Sequence, residues 1–195
     1  MAAVSVLFAY LIGSLPFALF VARWRGAPDL RRVGSGNLGA TNVLRASGLQ
    51  AGLLVAGLDI AKGAVSVLLA ARLNGSGTAP AVAGLAAIIG HIYPVWLRFQ
   101  GGKGVATACG VFAVLAPLAL FPALLVFFLS AWLTKYMSVG SVLASAALPP
   151  TALALGSPLP IVLSACAAAL LIVFRHRSNL ARVWLGTERR LGARA

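Results

Sequence analysis

The sequence predicts an all-α integral membrane protein with seven transmembrane helices, its amino terminus outside, its carboxyl terminus cytoplasmic and its polar loops on the cytoplasmic face. Three observations support this prediction. Hydrophobic residues make up 61% of the 195 residues and charged residues only 10%, against roughly a quarter in soluble domains. Apolar stretches of membrane-spanning length recur along the chain. Basic residues collect in alternate loops between these stretches.

Six apolar stretches mark the predicted spans, and they cover residues 2–22, 49–73, 79–97, 105–134, 139–155 and 159–174. The first has no basic segment before it and arginines after it, so it is interpreted as a permanent span and not as a cleavable signal peptide. Residues 105–134 would form a helix of about 45 Å, longer than the roughly 30 Å hydrocarbon core. Because Pro117 and Pro122 interrupt this stretch, we expect two short spans folded as a hairpin.

Charge sets the predicted orientation. Sixteen Lys and Arg stand against three acidic residues, giving a net charge of +13. Seven spans place all the basic residues on the cytoplasmic side except Arg72, outside, and Lys62, within a span. Six spans would turn the arginine-rich tail outward. A five-span alternative keeps the tail inside, but it moves Lys135 outside and needs a helix of about 54 Å over 139–174.

The basic face has two explanations. Membrane insertion selects for it, and it also attracts anionic headgroups or phosphorylated substrates. With so few carboxylates, the chain is not expected to build a magnesium or two-metal centre, and we expect neither metal nor cofactor. No repeat or second domain is evident, so residues 1–195 are predicted to form one membrane domain.

A glycine-rich polar loop, Gly-Ser-Gly-Asn-Leu-Gly-Ala-Thr-Asn over residues 34–42, lies between the first two spans. Glycines permit backbone amides to converge on an oxyanion, and a nearby cation supplies countercharge. The candidate ligands in and near this loop are Ser35, Gly36, Asn37, Thr41, Asn42 and Arg45. The alternative is a polar turn in which Thr41 or Asn42 caps the next helix.

A second loop, Gly101-Gly102-Lys103-Gly104, follows the third span. It lacks the full P-loop spacing, because Lys103 is followed by Gly104 and no strand precedes it. Nucleotide binding is therefore not supported. Phosphate binding by loop amides, by Lys103 and by the start of the next helix is supported.

Further polar residues lie in or beside the spans. Asp59 and Lys62 are three residues apart on one helix, either as a structural pair or with Lys62 contacting substrate phosphate. His91 is expected to be a hydrogen-bonded structural histidine. His176 and Asn179 lie one helical turn apart at the end of the last span, where they could orient an acceptor hydroxyl or simply belong to a basic tail.

Ser138 and Ser141 add hydroxyl donors near Lys135 and Tyr136. They are candidate substrate ligands at the membrane surface. The alternative is that this segment is an interfacial anchor, since Lys and Tyr favour headgroup depth.

Taken together, these motifs resemble the bacterial acyl-phosphate:glycerol-3-phosphate acyltransferases (PlsY type) over essentially the whole chain. The matching segments are residues 34–42, Asp59 with Lys62-Gly63, Gly90-His91, 101–107, Ser138 with Ser141, and 175–179 leading to Gly186-Thr187-Glu188. The resemblance implies transfer of an acyl group from acyl phosphate to the 1-hydroxyl of sn-glycerol 3-phosphate, giving lysophosphatidic acid. It also implies seven spans in the bacterial inner membrane, a cytoplasmic-side site, no nucleic-acid partner and an enzyme that supplies acyl phosphate.

A mechanistic hypothesis follows from the resemblance. Lys103, Arg45 and Ser141 would hold glycerol phosphate, whereas the 35–37 loop and the Gly101 and Gly102 amides would hold acyl phosphate. His176 or a substrate phosphate oxygen would accept the hydroxyl proton. The expected catalytic residues are His176, Asn179, Lys103 and Ser35. The expected substrate ligands are Gly36, Asn37, Thr41, Asn42, Arg45, Lys62, Gly101, Gly102, Gly104, Ser138 and Ser141.

Two other functional classes share part of this pattern. A transporter of phosphorylated solutes would also use basic phosphate loops, but the polar residues cluster on one side and no internal repeat appears. A different membrane acyltransferase or a serine hydrolase would pair Ser35 with a histidine. The H-x-x-x-x-D arrangement is absent after both His91 and His176, which weakens that alternative.

Overall fold

The computed structural model describes residues 1–27, 29–33, 35–75 and 77–192. These residues form helices joined by short loops, and the all-α prediction is confirmed. The helices are α1 (Ala2–Gly13), α2 (Phe17–Trp24), α3 (Ala40–Ser47), α4 (Leu49–Asn74), α5 (Thr78–Ile92), α6 (Val105–Leu115), α7 (Pro117–Thr134), α8 (Met137–Ala154), α9 (Leu159–Arg175) and α10 (Arg177–Trp184). A 3₁₀ turn at Val95–Leu97 follows α5. Two compact units divide the chain, Met1–Val111 and the residues from Phe112 on.

In the first unit, α1 packs on α4 and α5, and α2 and α3 pack on the first half of α4. Small residues bring the helix backbones close together. A Cβ on Gly13 would lie 2.1 Å from the Ala87 carbonyl oxygen, and one on Gly90 would lie 2.2 Å from that of Tyr10. Glycine at these crossings therefore permits the contact between α1 and α5, as in other membrane helix pairs.

In the second unit, α7, α8 and α9 pack in sequence, and the short α10 contacts both α8 and α9. Gly140 on α8 faces α7, where an added Cβ would meet the Phe127 carbonyl oxygen at 2.7 Å. The axes of α9 and α10 differ by 51°, with the bend at His176. This bend turns the last helix away from the line of α9.

Five segments of the described chain are long and apolar enough to cross a membrane, and the bent pair α9–α10 makes a sixth. The five are Ala2–Trp24, Leu49–Asn74, Thr78–Leu97, Pro117–Thr134 and Met137–Ala154. The structure breaks the 105–134 stretch at Ala116, as its prolines predict. However, α6 has 11 residues and is only about 16 Å long, short of a bilayer core.

Candidate functional site

The loop before α3 is organised by one side chain, that of Asn42. Its Oδ1 accepts a hydrogen bond from the Ser35 backbone N–H at 3.0 Å, and its Nδ2 donates to the carbonyls of Leu30 and Val33 at 2.9 and 3.2 Å. Asn42 is only 2% exposed. The buried side chains of Leu30 and Leu38 hold the two ends of the loop in the core.

Asn42 was expected to bind substrate. In the structure both of its N–H groups and its oxygen are bonded within the loop, an arrangement that supports a positioning role. The capping alternative also differs from the structure, because α3 starts after Gly39 with no side-chain cap. Gly34, the first residue of the motif, lies outside the described residues.

The remaining candidates of this loop lie nearer the surface. Ser35 and Gly36 are exposed, and Asn37 is half-buried. Gly36 has φ +67°, a left-handed conformation that glycine adopts without strain. Thr41 and Arg45 are both half-buried and four residues apart on α3, so they share one face of that helix.

The Gly101–Gly104 loop is tied to the end of α5. The N–H of Gly101 donates to the Ile92 carbonyl at 3.0 Å, and the N–H of Gly102 donates to that of His91 at 3.1 Å. Both amides, which were expected to bind acyl phosphate, thus already donate within the protein. Glycine is required there for space: an added Cβ on Gly101 would lie 2.2 Å from the His91 carbonyl oxygen.

Lys103 and Gly104 lead directly into α6. Lys103 is half-buried, and Gly104 has φ +88°. The first turn of α6 begins at Val105, and backbone N–H groups in a first turn have no intrahelical acceptor. The phosphate-binding potential of this motif therefore lies in Lys103 and the start of α6, rather than in the Gly101 and Gly102 amides.

Behind the loop, three ionisable side chains form a buried cluster. Lys62 Nζ lies 2.8 Å from Asp59 Oδ1 and donates to the Leu15 carbonyl at 2.9 Å. His91 Nδ1 lies 3.6 Å from the same carboxylate oxygen. Asp59 and Lys62 are only 2% and 4% exposed.

This cluster shows the arrangement expected of the structural pair. The Lys62 ammonium donates to Asp59 and to a backbone carbonyl, which uses two of its three N–H groups, and the side chain is only 4% exposed. His91 agrees with its expected structural role. Its Nε2 occupies the space next to Gly102, where an added Cβ would lie only 2.1 Å away. The buried cluster thus abuts the second loop.

In the second unit, His176 lies at the bend between α9 and α10 and is 3% exposed. Its Nδ1 lies 2.8 Å from the Ile172 carbonyl oxygen. A carbonyl only accepts hydrogen bonds, so this contact places the proton on Nδ1 and makes Nε2 the basic nitrogen. This tautomer suits a group that takes up a proton.

One turn further along, Asn179 belongs to a network centred on Glu188. Glu188 Oε1 accepts hydrogen bonds from Asn179 Nδ2 at 2.6 Å and from Ser138 Oγ at 3.2 Å. Its Oε2 pairs with Arg182 Nε at 2.8 Å. Burial raises the pKa of this carboxyl, but the hydrogen bonds and the positive charge outweigh burial, and its pKa lies below the usual value.

Glu188 is the site residue that sequence reasoning missed. It lies in the segment that resembles the family, but the sequence alone indicates no role for it. The available signal was that it is one of only three acids in the chain and follows Asn179 and Arg182 closely. An isolated carboxylate among arginines is expected to be paired.

Ser138 and Ser141 are both buried on α8. Ser138 donates to Glu188, and Ser141 Oγ donates to the Met137 carbonyl at 2.8 Å. Each hydroxyl has a single proton, so donation to a phosphate would require either hydroxyl to rotate away from its present acceptor.

Within each unit the structure therefore brings part of the expected site together. The first unit contains both glycine loops, Arg45, Lys103 and the buried Asp59 cluster, and the second contains His176, Asn179, Ser138 and Ser141. Among the described residues, no group of three or more His, Cys, Asp or Glu side chains is placed to hold a metal ion.

Comparison with known proteins decides the family. A family model described as glycerol-3-phosphate acyltransferase matches residues 3–186. The chain belongs to the glycerol-3-phosphate acyltransferase family. A glycerol-3-phosphate acyltransferase of Thermus thermophilus is 49% identical over 194 residues, covering 98% of this chain and 96% of that protein. One from Syntrophotalea carbinolica is 44% identical over 191 residues, 97% of each chain.

Two solved structures share the fold of this family member. The glycerol 3-phosphate form of PlsY, an integral membrane glycerol 3-phosphate acyltransferase, has a TM-score of 0.93 and 40% identity, covering 98% of this chain and 96% of that one. The lysophosphatidic acid form has a TM-score of 0.91 and 38% identity, covering 98% and 95%. The two forms are thus named for glycerol 3-phosphate and for lysophosphatidic acid.

Proposed function

We propose that this family member transfers a fatty acyl group from acyl phosphate to the 1-hydroxyl of sn-glycerol 3-phosphate. The observation that carries the proposal is the match to the PlsY structures along 98% of the chain, including one named for glycerol 3-phosphate and one for lysophosphatidic acid. The products are lysophosphatidic acid and inorganic phosphate, which places the reaction in phospholipid biosynthesis.

In the proposed reaction the glycerol hydroxyl oxygen attacks the acyl carbonyl carbon. A new ester C–O bond forms, the C–O bond to phosphate breaks, and phosphate leaves with the electron pair. The hydroxyl proton goes to His176 Nε2 or to a substrate phosphate oxygen. Because acyl phosphate is already an activated anhydride, positioning and charge stabilisation supply most of the rate enhancement.

The roles assigned to side chains follow their placement. Lys103 and Arg45 supply positive charge for phosphate groups, and the start of α6 and the Ser35–Asn37 loop supply hydrogen-bond donors. His176 takes up the proton through Nε2, and its Nδ1–H is fixed by the Ile172 carbonyl. Asn179, bonded to Glu188, holds the first turn of α10. Lys62, Asn42, Gly101 and Gly102 act by positioning.

The proposed setting is the bacterial inner membrane. Seven spans, with α6 as the short one, put the basic loops, the tail and the site on the cytoplasmic side. An enzyme that makes acyl phosphate would supply the donor, and no nucleic acid or metal is involved.

A donor comparison tests the proposal. Purified enzyme is given glycerol 3-phosphate with acyl phosphate, acyl-CoA or acyl carrier protein carrying the same chain, with and without EDTA. We expect lysophosphatidic acid from acyl phosphate alone, at a rate that EDTA does not change. Equal acylation from acyl-CoA, or loss of activity with EDTA, contradicts the proposal. Uptake of labelled glycerol phosphate into proteoliposomes without donor would instead indicate a transporter.

A further inference from the structure

A cavity of about 660 Å³ lies in the first unit, next to the loop before α3, since Leu30 lines the cavity and its carbonyl accepts a hydrogen bond from Asn42. Its walls are the last turn of α2, the segment that follows it, and the 3₁₀ turn after α5 with its next residues. Three guanidinium side chains line it, those of Arg23, Arg31 and Arg98. None of the described lining residues belongs to the proposed substrate ligands.

The cavity carries uncompensated positive charge. Asp29 is the single acid among its described lining residues, and its Oδ1 accepts the backbone N–H of Arg31 at 3.0 Å. The other two acids of the chain are paired elsewhere, Asp59 with Lys62 and Glu188 with Arg182. Among the described residues none of the three cavity arginines has an ion pair. Three positive charges against one negative charge favour an anionic ligand.

The backbone beside the cavity is held in an unfavourable conformation. Arg98 and Phe99 have φ values of 51° and 61°, two successive non-glycine residues in the left-handed region. The turn is closed by hydrogen bonds from Phe99 N–H to the Pro94 carbonyl at 3.0 Å and from Gln100 N–H to the Leu97 carbonyl at 3.1 Å. Glycine would avoid this strain but would remove the guanidinium, and strain of this kind is typical of functional sites.

The cavity lies at the ends of two candidate spans, Ala2–Trp24 and Thr78–Leu97. Both spans therefore reach the membrane surface there. Trp96 lines the cavity and is 59% exposed, and Trp24 in the adjoining α2 turn is 73% exposed. Exposed tryptophans next to arginines are typical of headgroup depth, where aromatic rings meet acyl chains and cations meet phosphates.

We propose that this cavity binds the phosphate group of an anionic membrane phospholipid, with the headgroup against Arg23, Arg31 and Arg98 and the acyl chains along the exposed rings of Trp96 and the neighbouring Trp24. A phospholipid headgroup and a soluble phosphate both present a phosphate anion to the arginines. A lipid is favoured over a soluble phosphate because the cavity lies at the ends of two spans and because Trp96 and the neighbouring Trp24 are exposed. The proposed lipid is a bound phospholipid and not a reactant in the acylation.

The test is native mass spectrometry of detergent-purified full-length protein, titrated with phosphatidylglycerol or with phosphatidylcholine of the same acyl chains. Wild-type protein is expected to retain one phosphatidylglycerol in preference to phosphatidylcholine. Each of Arg23→Gln, Arg31→Gln and Arg98→Gln should weaken that binding about fivefold, from the ~1 kcal/mol that a basic residue near an anionic surface contributes. Arg72→Gln is the matched control, since Arg72 is an exposed arginine in the last turn of α4, outside the cavity lining.

The competing outcomes are distinguishable. Unchanged phosphatidylglycerol retention in all three cavity variants overturns the proposal, and so does an equal loss in Arg72→Gln, which would indicate diffuse charge. Inorganic phosphate is added in a second arm. Displacement of the lipid by submillimolar phosphate would mean that the site serves a soluble anion and would also overturn the proposal. Size-exclusion profiles and circular dichroism confirm that the variants fold.

Discussion

Asn42 holds Ser35 in place: its side-chain oxygen accepts the Ser35 backbone N–H at 3.0 Å while its amide nitrogen bonds two earlier carbonyls. The relationship links α3 to the loop that carries the candidate ligands Ser35, Gly36 and Asn37, of which the first two are exposed and Asn37 is half-buried. Asn42, first expected to bind substrate, thus fixes the shape of the Ser35–Asn37 loop, which is the segment proposed to bind substrate.

The first prediction concerns this link. Asn42→Ala should raise KM for the phosphorylated substrates and lower kcat/KM roughly tenfold or more, because three hydrogen bonds that order the loop are lost. Hydrogen exchange of residues 29–39 in substrate-free protein should also become faster. Asn74→Ala is the control, since that asparagine also makes two hydrogen bonds, at the far end of α4. Unchanged loop exchange together with reduced affinity would instead indicate a direct substrate contact.

The second prediction concerns the proton acceptor. His176→Gln should lower kcat by roughly 100-fold or more with a smaller change in KM, because an amide can keep a hydrogen bond but cannot take up a proton at neutral pH. Steady-state rates with saturating acyl phosphate measure the effect. Ser178→Ala, an exposed position two residues further on, is the control. A His176→Gln variant with near-normal kcat would leave a substrate phosphate oxygen as the acceptor.

The sequence predicts those features that depend on local chemistry. Pro117 explains the break between α6 and α7, and the spacing of Asp59 and Lys62 explains their pairing on α4. The sequence does not predict contacts that depend on how distant segments fold together. The bond from Asn42 to Leu30 spans 12 residues, and the contact of His91 with Gly102 depends on the turn between them. Glu188 was missed for the same reason, since its partner Ser138 lies 50 residues earlier.

The third prediction uses the contact between His91 and Gly102. Gly102→Ala places a Cβ only 2.1 Å from His91 Nε2, so either the loop or the buried cluster must shift, with a cost of roughly 1–3 kcal/mol. We expect a lower melting temperature in detergent and a higher KM for glycerol 3-phosphate. Gly57→Ala, within α4, where an added Cβ meets nothing within 4 Å, should lower neither stability nor substrate affinity, because alanine forms helix better than glycine. His91→Ala has its own cost, so the clash is tested in that background: if it is the cause, adding Gly102→Ala to His91→Ala should cost much less stability than adding it to wild type, and an undiminished cost would contradict this explanation.

The fourth prediction concerns the pH dependence of stability through Glu188. Its folded-state pKa is lowered, so the ionised form stabilises the folded protein above the pKa of an unfolded glutamate, and this stabilisation is lost as the pH falls through the lowered pKa. Glu188→Gln should therefore melt below wild type at pH 7, by about 2–4 °C for each kcal/mol lost. This difference in melting temperature between variant and wild type should disappear at acidic pH. Asp29→Asn, at an exposed acid, is the control, and a gap independent of pH would contradict the prediction.

The last prediction decides whether α6 counts as a crossing. Its 11 residues reach about 16 Å, yet the basic residues favour an odd number of crossings, which keeps the loop before α4 and the tail on one side. In a variant with Cys109 and Cys166 replaced by alanine, cysteines introduced at Leu49 and Thr187 should both resist a membrane-impermeant thiol reagent in intact cells, and one at Thr78 should react. Six crossings would instead place Leu49 and Thr187 on opposite sides. Labelling of Thr187→Cys but not of Leu49→Cys from outside would therefore show that α6 does not cross the membrane. Protection of both cysteines would require that α6, although short, carry the chain through the bilayer.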